Sequence, residues 1–201
     1  MKLDLNKKNT MIAINSLSHF HGAIESSFDD YQKSRKLWRI DHLNNDYYLM
    51  ILSEKKPDFT ELTRQFGYEN DYESLPYDNF LDHIKTGQKW RFRLVANPAF
   101  SKKVANSNRG KIIAEVSDKY MMDWLKRKAE TNGFSIDDNT TWVTNKNWNS
   151  FKKNVRRVTF RSVAYEGILQ VEDEALLKSA LMTGIGREKA YGMGMLTLMR
   201  V

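Results

Sequence analysis

Cysteine is absent from all 201 residues, which removes disulfides, thiolate nucleophiles and cysteine zinc sites together and fits a reducing compartment. No apolar run approaches membrane-spanning length, and Met1-Lys2-Leu3-Asp4-Leu5 lacks the apolar core of a signal peptide, so a cytoplasmic protein without a membrane partner is expected. Histidine is scarce: His19, His21, His42 and His83 show no ligand-type spacing, and the acidic pairs Asp29-Asp30 and Asp137-Asp138 read as loop or cap residues. No metal site is therefore expected, and with no nucleotide-binding motif no cofactor is expected either. Acidic residues are in deficit. Lys and Arg outnumber Asp and Glu by 32 to 25, giving +7 and a pI near 9.4, so the surface should attract polyanions, although a merely soluble basic protein would show the same balance. The 41% hydrophobic content suffices for packed cores, in one large domain or two small ones.

Glycine is sparse too, but four of the ten fall between Thr183 and Val201. Gly184 and Gly186, then Gly192 and Gly194, bracket the segment Arg187-Glu188-Lys189-Ala190-Tyr191, ahead of the strand-like run Met195-Leu196-Thr197-Leu198-Met199. Such a loop can adopt positive φ and offer backbone N–H groups and cations to an anion. Turn glycines before a strand have the same appearance, and both readings stay open.

In the first half, Met1, Leu3 and Leu5 alternate with polar residues and Met11 to Ile14 is a further apolar run, which predicts an opening strand. Leu17, Phe20, Ile24, Phe28 and Tyr31 form one stripe at helical spacing, with Asn15 or Ser16 as the cap. His21 lies at the rim of that stripe. Glu25, four residues on, is within reach of an ion pair that would orient the ring and raise its pKa, and Ser18 is three residues back. A half-buried packing histidine and a catalytic one both fit this position. Leu37–Asp41 and Tyr47–Leu52 read as strands joined at Asn44-Asn45-Asp46. A short helix from Asp58 stops at Gly67, and 68–81 reads as irregular surface.

In the second half, Lys89 to Val95 alternates cleanly, with Trp90, Phe92 and Leu94 on one face. The segment 101–111 carries Lys102, Lys103, Arg109 and Lys111 and no acidic residue, which suits either a solvated loop or a phosphate clamp. Ser117 or Asp118 caps a helix with Met121, Trp124, Leu125 and Ala129 on its apolar face, ending at Gly133. Residues 155–171 are long for a strand. Val158 and Phe160 are even whereas Val163, Tyr165, Leu169 and Val171 are odd, which predicts a bulge or turn near Arg161-Ser162 and places Arg156, Arg157 and Arg161 in a basic cluster on or beside a sheet. Asp173 caps the last helix, buried through Leu176, Leu177, Ala180 and Leu181, and Gly184 ends it.

The order of elements gives an α+β chain of two tandem ferredoxin-like (RRM-like, βαββαβ) domains, 1–86 and 87–201. Its cations interleaved with aromatics favour RNA over duplex DNA, with fold analogy as the only warrant for that step.

The residues also carry a family resemblance. Gly87-Gln88-Lys89-Trp90-Arg91-Phe92-Arg93-Leu94-Val95-Ala96-Asn97-Pro98, Trp124-Leu125-Lys126-Arg127-Lys128, Tyr165-Glu166-Gly167-Ile168-Leu169 and the glycine-rich run 184–196 closely resemble the CasE (Cse3) family, the CRISPR repeat-processing endoribonucleases of the type I-E Cascade system. The resemblance covers nearly the whole chain and is strongest from residue 87 onward. It implies two ferredoxin-like domains that hold the hairpin of a CRISPR repeat RNA, metal-independent cleavage to a cyclic 2′,3′-phosphate and a 5′-hydroxyl, retention of the mature guide RNA, and other Cascade subunits as partners. The family's catalytic histidine early in the first helix matches His21. A tyrosine that some relatives place three residues earlier is replaced here by Ser18, so its role is not carried over. Ser18 and Glu25 are expected to support His21, and Lys102, Lys103, Arg109, Lys111, Arg156, Arg157, Arg161, Arg187 and Lys189 to contact RNA, with Gly184, Gly186, Gly192 and Gly194 lining the cleft. A CasE-like subunit that retains the hairpin with weak or no cleavage is the alternative.

Overall fold

Two antiparallel layers carry the chain in this computed structural model, which describes residues 1–29, 34–102, 111–114, 117–153 and 155–201. In the first layer β1 (Lys36–Leu43) and β2 (Asp46–Ser53) pair from Lys36↔Ser53 to Leu43↔Asp46. Asn44 (φ 50°) and Asn45 (φ 68°) both take left-handed backbone, as a two-residue hairpin turn of the type I′ class requires and asparagine tolerates. Single bridges Lys2↔Tyr48 and Leu3↔Gly67 extend the layer, so its order runs residue 67, residues 2–3, β2, β1. Helices α1 (Lys8–Asn15), α2 (Ser18–Ser26) and α3 (Phe59–Phe66) accompany it, and Leu3, Phe20, Ile24, Trp38, Leu49, Leu62 and Phe66 close the core. Asp58 caps α3 by accepting from the Thr60 N–H at 2.8 Å, and Gly67 ends it.

The opening strand is shorter than expected. Pairing ends at Leu3, and the apolar run at 11–14 lies on α1, where Ala13 is buried while Met11 and Ile12 face solvent. Lys7 fixes this turn: its ammonium donates to the carbonyls of Thr63 and Gly67 at 2.9 and 2.6 Å, at the end of α3. The stripe Phe20, Ile24, Phe28 is buried as expected, but neither Asn15 nor Ser16 caps α2, because the two helices follow so closely that Leu17 takes the cap position with helical backbone. Tyr31 lies outside the described residues. The segment 68–81 is irregular only in part, since Asp78–Asp82 forms a short helix, α4, and Leu81 and Ile84 pack into the second layer's core.

The second layer contains β3 (Lys89–Ala96), β6 (Phe134–Lys153), β7 (Arg156–Val171) and β8 (Leu196–Arg200) in the order β6-β7-β3-β8. A separate hairpin, β4 (Ala99–Lys102) with β5 (Lys111–Ala114), leaves the chain between β3 and α5 (Asp118–Thr131). With α6 (Glu174–Thr183) the succession β3, α5, β6, β7, α6, β8 is a βαββαβ unit, and the expected pair of ferredoxin-like domains is what the chain forms. Ser117 and Asp173 cap α5 and α6 through side-chain oxygens. Trp90, Phe92 and Leu94 meet Met121, Trp124, Leu125, Tyr165, Leu177 and Leu181 in the core.

The phase change in β7 has a different cause from the expected bulge. β7 is continuous, and the register shifts lie on its partner β6, between Ile136 and Thr141 and between Val143 and Asn145. Val163, Tyr165, Leu169 and Val171 face the helices, whereas Val158 and Phe160 face the other way and pack with Phe151, Tyr191 and Met193. The strand keeps its alternation while the covered face changes along its length.

The layers meet along β1. Leu37, Trp38, Arg39 and Asp41 are all buried, since the face carrying Leu37, Arg39 and Asp41 abuts the second domain. Arg39 pairs with Asp41 at 2.7 Å and donates across the joint to the Met195 carbonyl and the Thr197 hydroxyl, each at 2.9 Å. Arg93 of β3 adds ion pairs to Asp41, at 3.2 Å, and to Glu166.

Candidate active site

The glycine-rich segment builds one wall of a cleft between the domains. Gly184, Gly186, Gly192 and Gly194 all have φ between 75° and 88°. Two of these glycines also make room for the first domain. A Cβ at Gly192 would stand 2.9 Å from the Trp38 ring, and one at Gly184 would stand 2.7 Å from Leu37. The loop is pinned where the Gly194 N–H donates to the Val95 carbonyl at 2.7 Å and Asn97 bridges Arg187. Between the glycine pairs, the 3-10 turn Lys189–Tyr191 faces α2. Backbone freedom here serves domain packing first. It also sets the turn's side chains over the helix that carries His21.

His21, Glu25, Ser34, Arg35, Lys36 and Ala190 line a cleft of about 600 Å³. The His21 side chain is 28% exposed, open enough to meet a substrate yet held by its surroundings. Its Nδ1 lies 3.9 Å from Glu25 Oε1, and its ring meets that of Tyr191 edge-on with centroids 6.1 Å apart. Glu25 Oε2 is in turn 3.2 Å from the ammonium of Lys36. Imidazole, carboxylate and two cations thus share one concave surface, a set suited to moving a proton beside a charged phosphate. Among the described residues, no three histidine, aspartate or glutamate side chains converge as a metal cage would require.

Lys189 is electrostatically strained. Burial pushes its amine below the ordinary lysine value, and the positive charges of Arg35 and Lys128 push in the same direction. Arg35 and Lys128 thus add to the cost of charging Lys189, and an anion placed beside it would offset that cost.

The expected site residues are distributed over several places. His21 and Glu25 come together in the cleft, whereas the Ser18 hydroxyl lies 3.2 Å from that of Ser16 and is not among the cleft's lining residues. Arg157 and Arg161 sit on the long β6–β7 hairpin: Arg157 donates to the Ser150 hydroxyl at 2.7 Å, and Arg161 lies over the exposed Trp148 ring at 5.6 Å from its centroid. Arg187 is exposed on the glycine loop. Lys102 and Lys111 are ladder partners in β4–β5 and Arg156 opens β7, and for these three only the backbone is described. Lys103 and Arg109 lie outside the described residues. Sequence reasoning passed over Arg35, Lys36 and Tyr191. The run Lys33-Ser34-Arg35-Lys36 directly before a strand was the available signal for the first two.

Comparison with known proteins agrees with this architecture. The chain matches the family model described as CRISPR associated protein over residues 1–200. It is 27% identical over 178 residues to the CRISPR-associated endoribonuclease Cse3 of Thermus thermophilus, an alignment covering 83% of this chain and 80% of that protein. The structure of Thermus thermophilus Cse3 bound to an RNA representing a pre-cleavage complex is similar with a TM-score of 0.79 at 23% identity, covering 98% of this chain and 97% of the other. A chain of a CRISPR RNA-guided surveillance complex in a pre-nicking state is similar with a TM-score of 0.70 at 22% identity, covering 100% and 98% of the two chains. With the match spanning both ferredoxin-like units, the chain belongs to the CRISPR-associated protein family and resembles its Cse3 members in sequence and fold.

Proposed function

We propose that this protein is a metal-independent endoribonuclease that binds the hairpin of a CRISPR repeat transcript, cleaves the precursor, and holds the mature guide RNA as a subunit of a Cascade-type assembly. The observation that carries the reading is His21, partly exposed in a cationic cleft between two ferredoxin-like domains. The endoribonuclease activity of the Cse3 relative and the RNA-bound state of its structure support it. Residues 1–86 and 87–201 serve as the two domains, with α4 packing across that division.

In this reaction a ribose 2′-hydroxyl loses its proton as its oxygen attacks the adjacent phosphorus. The bond to the departing 5′-oxygen breaks, and that oxygen takes up a proton. The products are a cyclic 2′,3′-phosphate and a 5′-hydroxyl. His21 serves one of these proton transfers, through Nε2, since Nδ1 faces Glu25. Arg35 and Lys189 offset the charge that builds on the phosphorane oxygens. Arg156, Arg157, Arg161 and Arg187, with the basic segment 102–111, hold the RNA backbone.

The test is His21→Ala assayed on the cognate repeat RNA without divalent metal. Cleavage is expected to fall by two or more orders of magnitude, roughly the scale of general acid–base catalysis, with hairpin affinity retained. Cutting at the wild-type rate would overturn the assignment.

One observation favours a second reading, in which the protein retains the hairpin and cuts it weakly: the Ser18 hydroxyl is turned to Ser16 and does not line the cleft. Tight binding with no single-turnover product would select that reading.

A further inference from the structure

Lys36 lines the same cleft as Arg35 but is built differently. Its side chain is 2% exposed, whereas Arg35 beside it is exposed. A lysine that grips RNA keeps its ammonium in water, where phosphates can reach it, and a buried ammonium is tolerated only when nearby groups replace its hydration. Here the ammonium lies 3.2 Å from Glu25 Oε2, 3.4 Å from the Ser34 carbonyl and 4.9 Å from the centre of the Phe28 ring. Glu25 Oε1 lies on the His21 side. A single carboxylate thus spans from a buried amine to the imidazole.

The fold fixes this arrangement. Lys36 opens β1 on the same face as Trp38, toward α2, because Leu37 and Arg39 are committed to the domain joint. Glu25 is one helical turn beyond His21 on α2, and its carboxylate is 43% exposed. Left to itself, such a carboxylate would sample several rotamers, and the buried lysine selects one of them.

We infer that Lys36 is a positioning residue: its buried ammonium holds the Glu25 carboxylate in place beside His21, and so sets the orientation and the protonation of the imidazole. The inference rests on the proposed role of His21. It differs from an RNA-binding role in sign as well as in place. Among the described residues, the charged side chains that line the cleft with His21 are Glu25 on its own helix and Arg35 and Lys36 on the approach to β1, and the 3-10 turn packed against that helix carries Glu188 and Lys189. Glu25 is the carboxylate that lies beside the imidazole. Removing Lys36 takes a positive charge from beside the Glu25–His21 pair, so the imidazolium is stabilised and the histidine-dependent limb of the pH–rate profile moves to higher pH. That direction holds whether His21 acts as base or as acid. Removing the charge of Glu25 moves the limb to lower pH.

The experiment measures single-turnover cleavage of the cognate repeat hairpin across pH for wild type, Lys36→Met, Lys36→Arg, Glu25→Gln and the double variant Glu25→Gln/Lys36→Met. The ¹⁵N shifts of the His21 ring are followed by NMR, and hairpin affinity is measured for each protein. Lys36→Met is expected to slow cleavage about ten- to a hundred-fold, the scale of a misplaced catalytic group, with affinity changed less than two-fold and the limb moved upward. Lys36→Arg should recover most of the rate. In the Glu25→Gln background most of the shift caused by Lys36→Met should vanish. Should Lys36→Met fail to fold, the downward shift in Glu25→Gln and the recovery in Lys36→Arg still decide the matter. A limb that stays put in Glu25→Gln, or affinity that falls with the rate unchanged at saturation, overturns the inference. His21→Ala is run beside them: full activity there overturns the proposed role of His21 itself, whereas inactive His21→Ala with a wild-type profile in Lys36→Met overturns only the role of Lys36.

Discussion

Tyr191 meets His21 edge-on with 6.1 Å between ring centroids, so the helix bearing the histidine leans on the glycine turn of the other domain. Tyr191 is backed by Phe160, stacked at 5.8 Å, and by Phe151 at 4.9 Å. The imidazole's position therefore depends on residues far away in sequence, through a wall that only a close approach of the two domains can build.

Gly192→Ala tests that wall. The residue has φ 78°, and a Cβ would stand 2.9 Å from the ring of the buried Trp38. The backbone term alone costs about 1–2 kcal/mol, and moving the turn away from Trp38 adds to it. Urea unfolding should show a loss of about 2 kcal/mol or more. Cleavage should fall even where the protein stays folded, because Tyr191 and Lys189 move with the turn.

Arg39→Met should be more damaging. Arg39 is 3% exposed, and its guanidinium pairs with Asp41 while donating across the joint to Met195 and Thr197. Among the described residues, removing it leaves the buried Asp41 side chain with only the longer contact from Arg93, and such a loss costs about 3–5 kcal/mol. The expected readout is a lower denaturation midpoint. A drop of less than about 1 kcal/mol would show that Arg93 alone satisfies Asp41.

The same strand shows where sequence reasoning stops. Arg39 and Asp41 alternate with apolar neighbours, and the face they share is the domain joint, which periodicity does not reveal because it records which residues share a face and not what covers it. The phase change in β7 was misleading for the same reason. Most caps and turns were legible because they are local: Ser117 and Asp173 cap their helices as expected, the short helix begins at Asp58, and Asn44-Asn45 forms the hairpin turn, whereas the cap expected at Asn15 or Ser16 gave way to Leu17. His21 and Glu25 were legible as a helical pair. Lys36 and Tyr191 were not, because their nearness to that pair is made by the tertiary fold.

Lys189 gives a prediction with a definite sign in pH and salt. Its native pKa is depressed below the ordinary 10.5, first by burial and then by Arg35 and Lys128. The unfolded chain therefore holds this proton more tightly than the native protein, and stability from this group grows as pH rises from the native pKa toward 10.5 and is missing below it. Lys189→Met should accordingly leave the RNA-free protein as stable as wild type or more so at neutral pH. Its RNA affinity should nevertheless fall, with the slope of log affinity against log salt reduced by about one. An unchanged slope would remove Lys189 from the phosphate contacts.

Trp148 supplies the last prediction. It lies on β6 with 59% of its surface exposed, directly across the ladder from Arg161, whose guanidinium rests over the ring. The Arg161 Nε is buried there with no hydrogen-bond partner among the described residues, and stacking on the indole orients the guanidinium. An exposed tryptophan that holds an arginine flat costs little to remove from the folded protein, since no core depends on it, and Trp148→Ala should change stability by no more than about 0.5 kcal/mol. In the proposed complex the pair forms a cationic, aromatic platform on the hairpin, where stacking on a base contributes about 1–3 kcal/mol. Trp148→Ala should therefore weaken binding of the repeat hairpin about ten-fold while leaving cleavage at saturating protein unchanged, because His21 is served by other elements. Arg161→Lys should weaken binding as well, since an ammonium does not reproduce the planar stack. If both variants bind as wild type does, this end of the β6–β7 hairpin lies off the RNA, and the basic residues nearer the cleft, Lys189 and Arg187, must account for the affinity.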